Sequence, residues 1–131
     1  MIRHDIVREI KETLGLVPSF FKALPESELE IEWQAFKRVE VDEGPIPHKY
    51  RHLIGLGLAA ADTCRFCVFY HREMAKLFGA SDAEIEAALR YVKSCSGWSA
   101  YVNGLELDFG QFQDEIRQVC RHIRETEAVK A

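Results

Sequence analysis

The sequence lacks a long apolar run. The longest, Leu53 to Ala61, is nine residues and includes Gly55 and Gly57, where a membrane span needs about 20, so no segment is expected to cross a bilayer. There is no excess of one charge: Lys+Arg 17 against Asp+Glu 21 leave a net −4, with the signs interspersed, which argues against nucleic acid or an anionic membrane as partner. The start, Met1-Ile2-Arg3-His4-Asp5, has no basic, apolar and small-residue sequence of a secretory leader, and the expected compartment is the cytoplasm. Cysteine is scarce, four in all, too few for a secreted disulfide scaffold, so Cys64, Cys67, Cys95 and Cys120 are read for chemistry. Hydrophobic residues make up 47% and aromatics 11% of 131 residues. That is enough for the core of a single domain spanning 1–131 and excludes a disordered tail protein.

Strand-like alternation is absent, and the spacing predicts an all-α fold of about six to eight helices. Ile2, Ile6, Val7, Ile10 and Leu14 fall at helical spacing, with Gly15 as a left-handed stop. Pro18 and Pro25 bracket a short turn or two. Ser27 and Glu30 have the form of a capping box for a helix toward Glu40. Gly44-Pro45-Ile46-Pro47 is the clearest break, after which a helix runs to Ala61, apolar on most of its circumference and therefore expected to be buried. Asp62-Thr63 offers a cap for a helix from about Cys64 to Phe78, stopped by Gly79. Ser81 and Glu84 form another capping box. Gly97, Gly104 and Gly110 suggest a looser stretch holding a short helix near Trp98. A last helix from Asp108 places Phe109, Phe112, Ile116, Val119, Cys120 and Ile123 on one side.

The segment that stands out is Cys64-Arg65-Phe66-Cys67-Val68-Phe69-Tyr70-His71, a C-x-x-C-x-x-x-H pattern at a helix start. At 100° per residue both sulfurs and the imidazole share one face. A thiol in the first turn gains from the unsatisfied N–H groups there, which lowers its pKa below the free value of about 8.5. His71, one turn after Cys67, is placed to accept a thiol proton. That is the arrangement of a thiol peroxidase or a dithiol–disulfide catalyst. The dipole favours Cys64 as the activated thiol, but the local base, His71 at i+4, outweighs the fading end of the dipole field and settles the reading on Cys67. A third use of the same residues is zinc, with His48 and His52 on the preceding helix joining Cys64, Cys67 and His71. Cys95 and Cys120 read as small buried residues on helices, and Tyr70 as packing.

The stretch from Pro47 to His71, with weaker support from Gly15-Leu16-Val17-Pro18-Ser19-Phe20-Phe21 and the helix after Ser81, resembles the AhpD-like alkylhydroperoxidase branch of the carboxymuconolactone decarboxylase superfamily. The resemblance implies an all-helical protomer, a homo-trimer or homo-hexamer, and reduction of organic hydroperoxides in antioxidant defence. It also implies that Cys67 attacks the peroxide, Cys64 resolves the sulfenic acid and His71 belongs to the proton relay. An external dithiol, a lipoyl or thioredoxin-like protein, would close the cycle, and no bound cofactor or metal is required. Two positions depart from the family pattern. His52 stands where a glutamate usually precedes the first cysteine by twelve residues, and Phe66 replaces a histidine between the cysteines. An imidazole relays protons at an ordinary pKa near 6.5 rather than 4.3, so His52 is expected in the site with an altered pH dependence, and His48 is a further candidate for the relay. A thiol–disulfide oxidoreductase and a zinc-binding module are the alternatives.

Overall fold

Helical spacing becomes seven α-helices among the described residues, with no strand: α1 (Arg3–Leu14), α2 (Ser19–Lys22), α3 (Glu26–Phe36), α4 (His48–Ala61), α5 (Arg65–Leu77), α6 (Asp82–Gly104) and α7 (Phe109–Lys130). The computed structural model describes the backbone of residues 3–130 and the side chains of 3–127, so Ile2, expected on the first apolar face, lies outside the described residues. The chain divides into two compact units, Met1–Arg51 and His52–Ala131, with the boundary inside α4.

In the first unit, Ile6 and Ile10 of α1 and Leu29 and Trp33 of α3 are each four residues apart, so each pair lies on one helix face. With Val17 and Phe21 they form the buried core. Phe21 meets Trp33 edge-on (centroids 5.6 Å, 82°) and Phe36 likewise (5.2 Å, 86°), contacts worth about 0.5–1.5 kcal/mol each beyond area burial. Gly15 ends α1 at φ +85°, as its position predicts. The Ser27/Glu30 capping box does not form. Pro25 is the N-cap of α3 with no side-chain cap, and Ser27 Oγ donates to Glu28 instead, because the proline already fixes the helix entry. Beyond α3 the helix widens into a π-helical turn, Lys37–Val41, where the Lys37 ammonium donates to Glu9. The Lys37 hydrogen bond, helped by its charge, holds the Glu9 carboxyl below the usual carboxylate range. Arg51 donates to the carbonyls of Val39 (2.9 Å) and Ile46 (2.7 Å) and so ties down the proline-rich break.

The second unit has a smaller core: Leu56, Ala75, Ala80 and Ile85, with Leu53, Val68 and Leu89 packed against it. α5 closes in a Schellman motif. Gly79 sits at φ +93°, its N–H bonds Lys76 O (3.0 Å), and the next N–H bonds Ala75 O (2.9 Å). The Ser81/Glu84 capping box forms in full, with both bonds at 3.0 Å. Asp108 accepts the Gln111 N–H at 2.7 Å and starts α7.

Three expectations need correction. α6 runs unbroken through Gly97, whose missing side chain has open space around it; one glycine disfavours a helix by only about 1 kcal/mol. α4 is not buried all round: His52, Leu56 and Ala59 are buried, while Ile54 and Leu58 are exposed. Cys95 and Cys120 are exposed, not buried, because they sit on the C-terminal part of α6 and on α7. There Tyr91, Trp98, Tyr101, Phe109, Ile116 and Ile123 are exposed too, as is every described side chain of α7.

Candidate active site

The site begins where α4 stops. Thr63 N–H bonds Ala60 O (3.2 Å) and Cys64 N–H bonds Ala59 O (3.0 Å), the pattern of a Schellman motif. Its left-handed position is filled by Thr63 at φ 55° rather than by glycine, and a β-branched residue is strained there. Cys64 is thus the last link of the α4 cap and also the N-cap of α5. The cap is the cysteine itself, not Asp62 or Thr63.

As N-cap, the Cys64 sulfur accepts the Cys67 backbone N–H at 3.3 Å, and the two Sγ atoms are 2.9 Å apart. Both are free thiols, Cys64 half-buried and Cys67 exposed. The bond between the thiols, then the Cys67 backbone N–H, holds the Cys64 thiol below the ordinary range; the Phe66 N–H adds to this, while burial and the Asp62 charge work against it. The same thiol bond pushes Cys67 up, with burial and the charges of Cys64 and Asp62 adding. Of the two thiols, Cys64 is the one whose deprotonation this arrangement favours.

A second pair lies on α4 and α5. His52, with no exposed surface, and His71 bring their Nδ1 atoms to 3.1 Å. One Nδ1 carries the hydrogen and the other accepts it. Phe78 stacks parallel to the His52 ring (centroids 5.7 Å, 4°). Tyr70 meets His52 edge-on (5.8 Å) and His71 at 4.9 Å. With Nδ1 engaged, Nε2 is the nitrogen left to His71 for an outside group.

The structure thus assembles the four sequence-derived residues as two pairs, Cys64 with Cys67 and His52 with His71. His71 links them, one turn after Cys67 on α5 and bonded to α4. His48 faces Glu43 instead, Nε2 to Oε1 3.8 Å. Among the described residues no group of three His, Cys, Asp or Glu is arranged to hold a metal ion. Phe66 is exposed with the Arg65 guanidinium over its ring at 5.4 Å. Sequence reasoning missed Thr63 and Phe78. Phe78 was one of eight phenylalanines with no distinguishing spacing. Thr63 left a signal: only three residues separate Ala61 from Arg65, so the first helix must be capped without a glycine.

The model of the carboxymuconolactone decarboxylase family matches residues 28–108. Among solved structures, the alkylhydroperoxidase AhpD core from Rhodospirillum rubrum is similar in fold. It has a TM-score of 0.72 and 23% identity, with 80% of each chain covered. No curated protein matches the sequence.

Proposed function

We propose that this chain, which belongs to the carboxymuconolactone decarboxylase family, is a thiol-dependent reductase of organic hydroperoxides. The observation that carries the reading is the Cys64–Cys67 pair, 2.9 Å apart at the start of α5, followed one turn later on α5 by His71, which is paired with the buried His52. The AhpD core, similar in fold, is by its title an alkylhydroperoxidase. His71 Nε2 takes the proton that Cys67 holds, and His52 Nδ1 accepts the Nδ1–H of the resulting imidazolium. The Cys67 thiolate then attacks the terminal oxygen of ROOH: an S–O bond forms, the O–O bond breaks, and RO⁻ takes a proton to leave as ROH. Cys64 attacks the sulfenic sulfur, hydroxide leaves as water with a second proton, and a disulfide remains. An external dithiol, lipoyl or thioredoxin-like, returns two electrons and two protons by exchange.

The reading carries with it a cytoplasmic setting, a role in antioxidant defence and a homo-trimeric or homo-hexameric assembly. Supporting the assembly, the large apolar side chains of α7 and, on α6, Tyr91, Trp98 and Tyr101 lie exposed in numbers that a monomer rarely leaves to water. Among the described residues no helix is long and apolar enough to cross a membrane.

One observation favours a second reading. Cys64 is the N-cap of α5 and its sulfur accepts the Cys67 backbone N–H at 3.3 Å, a contact that lowers its pKa, and in a thiol–disulfide oxidoreductase the low-pKa cysteine is the attacking one. Adding cumene hydroperoxide to reduced wild type, Cys64→Ser and Cys67→Ser, with thiol counting and disulfide mapping, separates the two. Rapid loss of two thiols into a Cys64–Cys67 bond, with a sulfenic acid trapped on Cys67 when Cys64 is absent, is expected. Slow peroxide reaction with fast exchange against a disulfide substrate moves the assignment to the second reading.

A further inference from the structure

We infer that Gly55 is a positioning residue for the proton relay: its missing side chain is the space in which the His71 imidazole lies. The inference rests on the reading of His71 as the acceptor of the Cys67 proton. Gly55 is in the interior of α4, one turn beyond His52 and therefore on the same face. A Cβ built there would come within 2.6 Å of both His71 Nδ1 and Nε2 and closer still to Cε1. Three ring atoms are involved, so the imidazole lies across the Gly55 backbone and does not merely graze it. Real Cβ atoms do not approach this closely, so in a Gly55→Ala variant the ring has to move.

The ring has no retreat that keeps its partner. Its Nδ1 is bonded to His52 Nδ1 at 3.1 Å, and Tyr70 packs on it at 4.9 Å. His52 in turn is fully buried and stacked on Phe78. Swinging His71 away from α4 breaks the Nδ1 pair and re-aims Nε2. Glycine is among the poorest helix formers and alanine the best, so propensity alone argues for alanine at this position. Gly97, also within a helix, has open space where its Cβ would be, and serves as the control for the backbone effect.

The experiment compares wild type, Gly55→Ala, Gly97→Ala, His71→Ala and the double variant Gly55→Ala/His71→Ala. The readouts are the 15N shifts of the imidazole nitrogens, site-resolved alkylation of Cys67 by iodoacetamide, and cumene hydroperoxide turnover. In Gly55→Ala the paired Nδ1 signals of His52 and His71 are expected to change. Cys67 alkylation at neutral pH should fall about as far as in His71→Ala, and turnover by about 10²-fold, the scale of a small misplacement. Gly97→Ala should match wild type, and Gly55→Ala should cost nothing further once His71 is gone. Unchanged imidazole shifts and alkylation in Gly55→Ala overturn the inference. If wild type does not reduce the peroxide, the peroxidase reading fails while the shifts and alkylation still decide the role of Gly55. Should Gly55→Ala fail to fold, folding of the double variant supports the inference, because removing the ring removes the obstacle; failure of both overturns it.

Discussion

The units 1–51 and 52–131 use their apolar residues differently. The first buries Ile6, Ile10, Phe21, Leu29 and Trp33 in an interlocked aromatic core. The second is longer, yet among its described residues the buried core holds two large aliphatics, Leu56 and Ile85, beside two alanines, with Leu53, Val68 and Leu89 partly buried against them, and it also buries His52. Its large aromatics on α6 and α7 face outward. All four candidate site residues belong to this second unit. A thin core with a buried histidine hydrogen-bonded to a half-buried one gives up packing energy for placed polar groups. A 22-residue helix such as α7 gains little stability without tertiary packing, which is why the proposed assembly is placed on this unit.

The sharpest way to break this contrast is to cut each unit at its centre. Trp33→Ala is expected to cost about 3–5 kcal/mol of stability, read by denaturant unfolding, with the alkylation of Cys64 and Cys67 unchanged in the folded fraction. His71→Ala should leave the unfolding midpoint of the first unit's signal in place and lower hydroperoxide turnover by about 10²–10⁴-fold. If Trp33→Ala alters thiol reactivity as strongly, stability and chemistry are not divided between the units as described.

Next comes the outward face. Ile116→Glu, placing a charge in the exposed stripe of α7, is expected to weaken self-association by at least about 10-fold, or roughly 1.4 kcal/mol. Sedimentation velocity across a concentration series measures this, and an unchanged profile would leave the stripe without a role in assembly.

Backbone strain gives a smaller effect. Thr63→Gly relieves a left-handed β-branched residue and should raise stability by about 1 kcal/mol, net of the larger chain entropy of glycine. Thermal unfolding would show it. The smallest effect belongs to the first unit. Glu9 has its carboxyl held low by Lys37, so its contribution is present above the ordinary glutamate range near 4.3 and is lost as pH falls through the lower folded value. Glu9→Gln should remove up to about 1 kcal/mol at neutral pH, with the difference from wild type vanishing in acid. A difference that persists at the lowest pH would assign the effect to packing instead.

Much of the fold was legible in single residues. Gly15, Gly79, Ser81, Glu84 and Asp108 act where local backbone chemistry needs them, and local chemistry does not depend on the rest of the molecule. Ser27 failed because Pro25 had already fixed the entry. Gly97 failed because a helix tolerates one glycine. The burial of Cys95 and Cys120 could not be read, since an apolar stripe shows which side a helix would bury, not what covers it.

Most of the helices, their principal stops, and the gathering of Cys64, Cys67 and His71 on one turn and a half of α5 were legible along the chain, because helical geometry is fixed at 3.6 residues per turn. What needed the folded chain was that His71 bonds His52 across two helices and that Gly55 leaves room for its ring. These depend on distances between groups on separate elements, set by the packing of α4 on α5 and by the turn at Thr63, and no spacing along the chain encodes them.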